Sequence, residues 1–233
     1  MNTQPHRRIV RLVSQILFTI SLLVCAGLKT AQADEIAIWN FNDSDLVVDH
    51  GFGTMVTNFV SANVLFAAGT TNNARLGNVA GQALSLQGGT ENTNNGRNIT
   101  LSVSTLGFSD IIVSFATQGT GTGFNSNQFQ YSLDGINFID FGSPYVPAAA
   151  FGAVPVVFTL SSIVGLNNNP NAAFRIIFNG ATSSTGNNRI DNIVVEGTST
   201  TTTTIPEPST AVLLLSGLSG LIGLRRKRRK LQR

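Results

Sequence analysis

Residues that could catalyse a reaction are few in the central part of the chain, residues 34–204. This part holds one histidine, His50, and neither cysteine nor lysine. A serine–histidine–aspartate triad would have to pass through His50, and no nucleophile-elbow pattern accompanies it. Zinc hydrolysis normally needs two or more imidazoles or thiolates and is excluded. Glycoside hydrolysis needs only two carboxylates at the right separation, and the eleven acids of this part leave such a pair open without singling one out. We therefore expect a protein that is not an enzyme.

Three carboxylates near the two ends of the central part could hold a cation. Asp34 and Glu35 open this part and Asp191 lies near its close, so the three would meet if the first and last strands were neighbours. Carboxylate oxygens suit Ca²⁺, so these three residues are candidate ligands of a structural calcium ion, and no other cofactor is expected. Two alternatives stay open for Asp191, which are an ion pair with Arg175 or Arg189 and a cap on loop amides.

Two aromatic residues are candidates for contact with a sugar ring. Trp39 shares its strand face with Ala37 and Phe41, which favours packing in the core over an exposed platform. Tyr145 lies in the run Pro144-Tyr145-Val146-Pro147, where the prolines favour a loop. We therefore take Tyr145 as the better candidate for an exposed, glycan-contacting ring.

The elements that must position these side chains are predicted to be β-strands. No convincing amphipathic helix occurs between residues 34 and 196, and short runs with strand character alternate with Gly, Asn, Thr and Pro. Ten strands at this spacing predict an all-β domain, a two-sheet antiparallel β-sandwich of the jelly-roll kind. The ten runs are Glu35–Phe41, Met55–Val60, Ala83–Leu86, Asn98–Val103, Asp110–Ala116, Gln128–Leu133, Ile136–Phe141, Val154–Leu160, Ala173–Phe178 and Arg189–Val195.

The clearest local pattern is a hairpin around Asp134-Gly135. These two residues suit a type I′ turn, so a two-residue loop is predicted. Such a loop pairs Leu133 with Ile136 and Tyr131 with Phe138, and it places these four side chains on the core face.

The first 33 residues have the three parts of a secretory signal peptide. Arg7, Arg8 and Arg11 form a basic start, an apolar stretch expected to be helical follows, and the run Ala31-Gln32-Ala33 provides an A-x-A cleavage site. Signal peptidase would cut after Ala33 and remove Cys25, the one cysteine of the chain. Disulfide chemistry is thereby excluded from the mature protein.

The last residues also have three parts. A Gly/Ser/Thr linker, residues 197–204, leads to Pro206-Glu207-Pro208, and an apolar run expected to be helical, Ala211–Leu224, comes next. The basic residues after it are Arg225, Arg226, Lys227, Arg228, Arg229 and Lys230. Fourteen helical residues extend about 21 Å against a hydrocarbon core of roughly 30 Å, so the span needs flanking residues and snorkelling arginines. The basic end is expected in the cytoplasm.

This tail, residues 205–233, resembles the PEP-CTERM sorting signal of bacterial exosortase substrates. The resemblance implies that an exosortase recognises Pro206, Glu207 and Pro208, after the C-terminal helix has tethered the precursor to the inner membrane. It also implies a Gram-negative-type bacterium and a mature protein at the cell surface or outside the cell. The alternative left open is a plain tail anchor.

Charge separates the central part from the two ends. Four arginines and eleven acids leave residues 34–204 near −7, although the whole chain is +3. Residues 34–204, which would have to bind the phosphates, are acidic overall, so nucleic acid is excluded as a partner.

The central part itself, residues 34–196, resembles concanavalin-like and carbohydrate-binding-module jelly rolls. The resemblance rests on the first strand from Glu35, the last strand to Gly197 and the hairpin at Asp134-Gly135. It implies a non-enzymatic surface or biofilm-matrix protein that contacts glycan, with exopolysaccharide as the expected partner. Two other functions stay open, which are a secreted hydrolase with an Asp/Glu pair and a structural matrix protein that self-associates through its sheet edges.

Overall fold

Alternating apolar residues build most of the strands in residues 33–200, the part that the computed structural model describes. In the run Ala173–Asn179, Phe174, Ile176 and Phe178 are buried while Arg175 and Ile177 are only partly covered. Side chains of successive strand residues point to opposite faces, so this pattern requires one face on a core and one toward solvent.

Twelve strands and three short 3₁₀ turns make up this part. The turns are Ser61–Asn63, Thr90–Asn92 and Val164–Leu166. The strands are β1 (Ala33–Trp39), β2 (His50–Gly51), β3 (Thr54–Thr57), β4 (Val64–Ala68), β5 (Gln82–Gln87), β6 (Arg97–Ser102), β7 (Phe108–Gly119), β8 (Ser126–Ser132), β9 (Phe138–Asp140), β10 (Val156–Thr159), β11 (Ala173–Asn179) and β12 (Asn187–Ser199).

The strands form two antiparallel sheets. Sheet A has the order β10-β7-β12-β1-β2, with β5 and β4 continuing from the first half of β12. Sheet B has the order β3-β6-β11-β8-β9. The predicted all-β, two-sheet antiparallel sandwich is confirmed, and each of the ten predicted runs overlaps a strand.

Phenylalanine fills the space between the sheets. Phe129 of sheet B stacks on Phe158 of sheet A with ring centroids 3.9 Å apart and planes at 8°. At another point of the core, Phe59, Phe124 and Phe178 meet edge to face at 5.5 to 5.7 Å. Burial of these large rings is the main term that holds the two sheets together.

Two strands escape the sequence pattern. β2 has two residues, which is too short for a period. β4 has no buried residue and has an exposed residue on each face, Leu65 and Ala68, so it lacks the alternation of a half-buried strand. In addition, β12 continues through Ser199 and pairs Thr198 with Ala33 and Ser199 with Phe108. The first three residues of the predicted linker therefore belong to a strand, because both neighbouring strands extend far enough to pair with them.

The predicted hairpin exists with a different register. β8 and β9 pair Ser132 with Phe138 and Tyr131 with Ile139, so five residues form the loop instead of two. Ile136 is 79% exposed and Leu133 is 40% exposed. The predicted pairing was wrong for all four residues, because the Asp134 side chain closes a wider turn. Of the four, only Tyr131 packs against the core, and the Phe138 ring lies on the opposite face of the sheet against Arg175.

Strand pairing brings four loops to one end of the sandwich. Thr54 and Ala173 both lie opposite Ser102, and Ala173 also lies opposite Ser132. The starts of β3 and β11 therefore lie beside the ends of β6 and β8. We call this the cleft end.

Candidate functional site

A cleft of about 450 Å³ opens at the cleft end. Four segments that are distant in the sequence line it: the approach to β3, the end of β6 with the following loop, the β8–β9 turn and the approach to β11. The lining residues are Phe52, Gly53, Thr54, Ser102, Val103, Ser104, Asp134, Gly135, Pro170, Asn171 and Ala172. An apolar ring, several hydroxyls, one amide side chain and one carboxylate therefore face a common space.

Phe52 forms an exposed aromatic wall of the cleft. Its ring is on the surface, with the residue 87% exposed, while its backbone N–H donates to the carbonyl of Ile36 at 3.3 Å. Gly51 has a φ of +75°, and a Cβ there would lie 2.0 Å from the same carbonyl oxygen. The close contact with β1 requires glycine at 51, and it fixes the backbone that carries the exposed ring.

The cleft floor rests on a buried tryptophan. Trp39 is fully buried, and its Cη2 atom would lie 2.9 Å from a Cβ added at Gly53. The expectation that Trp39 packs in the core is confirmed. Its ring supports the cleft from below and does not contact a ligand itself.

Asp134 supplies the one carboxylate of the lining and closes the β8–β9 turn. Its Oδ1 accepts from the Ser132 hydroxyl at 2.9 Å and from the N–H groups of Ile136 and Asn137 at 2.9 and 2.7 Å, and its Oδ2 accepts from Asn137 Nδ2 at 2.7 Å. The hydrogen bonds from Asn137, followed by those from Ile136 and Ser132, hold the pKa of Asp134 far below its usual range. Asp134 is therefore an ionised acceptor at neutral pH and a poor proton donor.

Asn169 ties two walls of the cleft together. Its Nδ2 donates to the carbonyls of Leu133 and Gly165 at 2.9 and 2.8 Å, and its Oδ1 accepts from the N–H of Asn171 at 2.8 Å. These bonds connect the β8–β9 turn to the approach to β11. The polar side chains of the cleft are thus attached to a cross-linked frame.

The sequence analysis missed most of this site. Phe52, Thr54, Ser102, Ser104 and Asn171 carry no motif, and only the strand pairing brings them together. One local signal was available: the run Gly51-Phe52-Gly53 places a bulky ring between glycines, where it has few neighbours in the chain to bury it.

Tyr145 does not present its ring to solvent as predicted. It forms an isolated antiparallel bridge with Asn127, and its ring lies 5.9 Å from that of Phe115 and 6.2 Å from that of Phe158. Its hydroxyl is buried, and burial raises the pKa of Tyr145. The bridge to sheet B turns the side chain inward, so Tyr145 belongs to the core.

The three carboxylates predicted to share a calcium ion do not converge. β1 and β12 are indeed antiparallel neighbours, but the register places Asp34 opposite Gly197 and Glu35 opposite Glu196. Asp191 lies six residues from Gly197, roughly 20 Å along the strand. Within residues 33–200, no group of three His, Cys, Asp or Glu side chains could hold a metal ion.

Asp191 caps loop amides, which was one of the two alternatives. It is fully buried, its Oδ2 accepts from the Thr70 N–H at 2.7 Å and its Oδ1 from the Asn192 N–H at 2.8 Å. Burial raises its pKa to about 7, although the two amide donors act in the opposite direction. Asn192 has a φ of +51° in a bulge, and its Nδ2 donates to the carbonyls of Thr70 and Asn72.

The remaining predicted residues have simpler outcomes. His50 is an exposed residue in the two-residue strand β2. Ala33 begins β1, whereas Ala31, the sorting residues Pro206, Glu207 and Pro208, and the basic run from Arg225 to Lys230 lie outside the described residues. Residues 33–200 contain no helix long and apolar enough to span a membrane.

The tail matches a known family. Residues 204–230 match the PEP-CTERM protein-sorting motif, which confirms the resemblance seen in the sequence. The motif indicates an exported protein that an exosortase handles at the membrane. A search of the curated proteins finds no match.

Solved structures similar to the sandwich include carbohydrate-binding modules, adhesin domains and an enzymatically active tailspike domain, all at low identity. Domain 4 of AbnA, a GH43 extracellular arabinanase from Geobacillus stearothermophilus, solved with arabinotriose, is 14% identical with a TM-score of 0.44, and the match covers 73% of this chain and 95% of that one. TmCBM61, solved with β-1,4-galactotriose, is 10% identical with a TM-score of 0.41 and coverages of 67% and 92%. TmCBM27, a mannan-recognising carbohydrate-binding module, is 12% identical with a TM-score of 0.40 and coverages of 72% and 99%.

Proposed function

We propose that this chain is an exported, non-enzymatic protein of the bacterial cell surface or extracellular matrix whose sandwich binds a polysaccharide in the cleft. Its precursor is tethered to the inner membrane by the C-terminal helix, signal peptidase and an exosortase process its two ends, and exopolysaccharide is its partner. The observation that carries the binding proposal is Phe52, an 87% exposed ring on a fixed backbone at the rim of a polar cleft.

The chemistry of the cleft suits a sugar. A pyranose ring offers an apolar C–H face that packs on an aromatic ring, and its hydroxyls both donate and accept hydrogen bonds. Phe52 supplies the apolar surface, while the hydroxyls of Thr54, Ser102 and Ser104 and the carboxylate of Asp134 supply polar partners. The low pKa of Asp134 keeps it an acceptor for sugar hydroxyls across the physiological range.

The same geometry argues against hydrolysis in this cleft. Glycoside hydrolysis needs a second carboxylate about 5 to 10 Å from the first, with one of the two protonated. Asp134 is the one acid in the lining, and its hydrogen bonds favour the ionised form. We therefore favour binding over the hydrolase alternative.

The sheet edges argue against self-association by strand pairing. The edge strands β2, β3, β4, β9 and β10 have two to five residues each. A short edge offers few unpaired backbone groups to a second copy. Binding in the cleft therefore remains the better supported function.

The experiment is a glycan array probed with processed protein recovered from its bacterial host, comparing the unchanged chain with Phe52→Ala and Phe52→Tyr. We expect Phe52→Ala to weaken binding by about tenfold, since stacking contributes on the order of 1 kcal/mol or more, and Phe52→Tyr to retain it. The control is Val154→Ala, which truncates another exposed side chain, 82% exposed, that is absent from the cleft lining.

Three results would contradict the proposal. Equal binding by Phe52→Ala and the unchanged chain would remove the cleft from the interaction. Release of new reducing ends would support the hydrolase alternative. Concentration-dependent assembly without glycan binding would support the structural matrix protein.

A further inference from the structure

The outer face of sheet B carries a row of mostly polar side chains. The register aligns five residues across its five strands: Val56 lies opposite Thr100, Thr100 opposite Arg175, Arg175 opposite Gln130, and Gln130 opposite Asp140. Their strand neighbours Met55, Leu101, Phe174 and Phe129 face the core. We call these five residues the outer-face row.

Arg175 at the centre of this row is held rigidly. Its guanidinium carbon Cζ lies 3.4 Å from the centroid of the Phe138 ring, and its Nε donates to Thr100 Oγ1 at 3.1 Å. The ring fixes the plane of the guanidinium and the hydroxyl fixes its rotation. The two Nη groups are left as a preset fork of donors.

This fork has no partner among residues 33–200. The other arginines of this part each direct an Nη to a neighbouring oxygen: Arg75 contacts Glu196 and Asn73, Arg97 the Asn58 carbonyl and Arg189 the Ala68 carbonyl. Arg175 has a hydrogen bond only through Nε. Its environment lowers its pKa through burial, so the charge is partly desolvated without a counter-charge.

A second unpartnered atom lies beside the fork. Gln130 Nε2 donates to Asp140 Oδ1 at 2.8 Å, whereas Gln130 Oε1 is buried without a hydrogen-bond partner. The row therefore offers a cationic fork that lacks an anion next to an amide oxygen that lacks a donor. A ligand with a carboxylate would complement the fork, and a hydroxyl beside it would complement the amide oxygen once the Gln130 side chain turns that atom to the surface.

We propose that Arg175 is the centre of a second binding site, on the outer face of sheet B, for a carboxylate-bearing polysaccharide of the polyuronate class. A carboxylate accepts two parallel hydrogen bonds from the Nη fork, and an adjacent sugar hydroxyl donates to Gln130 Oε1. None of the outer-face row lines the cleft, and the row adjoins it, because Thr54 and Ser102 of the lining lie two residues from Val56 and Thr100 on the same face. Because the domain is near −7, long-range attraction does not draw a polyanion to it and the local fork must carry the binding.

The experiment measures affinity electrophoresis of the host-processed protein in gels containing polygalacturonate, its fully methyl-esterified form or polyglutamate. We expect retardation by polygalacturonate alone. Arg175→Gln should weaken that binding by about tenfold or more because a charge-assisted bidentate contact is lost, and Arg175→Lys should fall between the two because it keeps the charge without the fork. Phe138→Leu should weaken it severalfold by releasing the guanidinium plane.

The matched control is Arg97→Gln, which removes another arginine of sheet B, one whose Nη1 already binds a carbonyl. It should bind polygalacturonate like the unchanged chain, and thermal unfolding must show that every variant is folded. Undiminished binding by folded Arg175→Gln would overturn the proposal, as would equal retardation by the methyl ester. Equal retardation by polyglutamate would overturn the glycan class. Phe52→Ala should leave polygalacturonate binding intact; if it alone abolishes that binding, the polymer lies in the cleft, and this inference fails while the proposed function stands.

Discussion

Asp134 and Asp191 show how the surroundings of a residue decide its chemistry. Both carboxylates accept backbone N–H groups of a loop. Asp134 lies on the surface, so its hydrogen bonds lower its pKa, whereas Asp191 is buried beneath a loop and desolvation raises its pKa to about 7. The same side chain therefore has opposite effects on how stability depends on pH.

The raised pKa of Asp191 predicts a loss of stability toward alkaline pH. Its value rises from 3.8 to about 7 on folding, so its stabilising contribution is complete below pH 4 and disappears as pH rises through 7. We expect the free energy of unfolding to fall between pH 5 and pH 8. Urea titrations across this range measure the slope. Asp49, whose pKa burial also raises, contributes in the same direction.

The variant Asp191→Asn isolates this contribution. At pH 5 the protonated carboxyl of Asp191 still has an acceptor lone pair on each oxygen, whereas the nitrogen of an amide accepts no hydrogen bond. We therefore expect a loss on the order of 1 to 3 kcal/mol at pH 5 and a flatter pH profile. The control is Asp110→Asn, since Asp110 is an exposed acid with a φ of +53°, a conformation that asparagine tolerates. A pH slope that Asp191→Asn leaves unchanged would contradict the assignment.

At the scale of elements, the β8–β9 turn depends on one side chain. Asp134 accepts four hydrogen bonds, three of them from Ile136 and Asn137, so we expect Asp134→Ala to accelerate amide exchange at both positions severalfold and to weaken glycan binding in the cleft. Hydrogen exchange measured by NMR tests this. The lowered pKa of Asp134 means that its contribution is present above about pH 4 and disappears only as pH falls through the lower folded-state value.

The matched variant for this turn is Asp134→Asn, which keeps an oxygen acceptor and should protect the two amides better than Asp134→Ala does. Exchange in β11 should be unchanged in both variants, because the strand is paired on both sides with β6 and β8. If Asp134→Ala leaves the exchange of Ile136 and Asn137 unaltered, the carboxylate does not hold the turn.

The bulge in β12 is a second feature of this scale. Between Asp191 and Val194 the pairing register of β12 with β7 shifts, and on the other side its partner changes from β5 to β1. The loop after β4 closes the opening between β5 and β1. Asn73 Nδ2 donates to the Asn192 carbonyl, the Thr70 N–H donates to Asp191 Oδ2, and Asn192 Nδ2 donates to the Asn72 carbonyl. Asp191 is buried for this reason.

At the scale of the whole molecule, the processing of both ends makes a prediction in the native host. We expect the intact mass of protein recovered from envelope and medium to correspond to a chain that starts at Asp34 and ends near Pro206. Such a species lacks Cys25 and the basic run. Its formation would mean that the acidic sandwich has been released from the membrane or transferred to the cell surface. If every mature form keeps the arginine-rich tail, the protein is a membrane-tethered surface domain.

The sequence by itself determined ten of the twelve strands and the sorting signal. Strand positions followed from runs of apolar and β-branched residues, as in Ala173–Phe178, because a period of two depends only on near neighbours in the chain. The sorting tail was readable for a similar reason, since its three parts follow one another directly. Even the neighbouring positions of β1 and β12 were expected from the resemblance to jelly rolls.

Only the tertiary structure decided the site. The cleft joins Phe52, Ser102, Asp134 and Asn171, which are up to 119 positions apart, and no local pattern encodes their meeting. Strand register decided the rest: a shift of a few residues separates Asp34 from Asp191 and widens the turn at Asp134. Strand register and side-chain burial depend on contacts between residues that are distant in the sequence, across both sheets at once. A local sequence pattern therefore does not predict them.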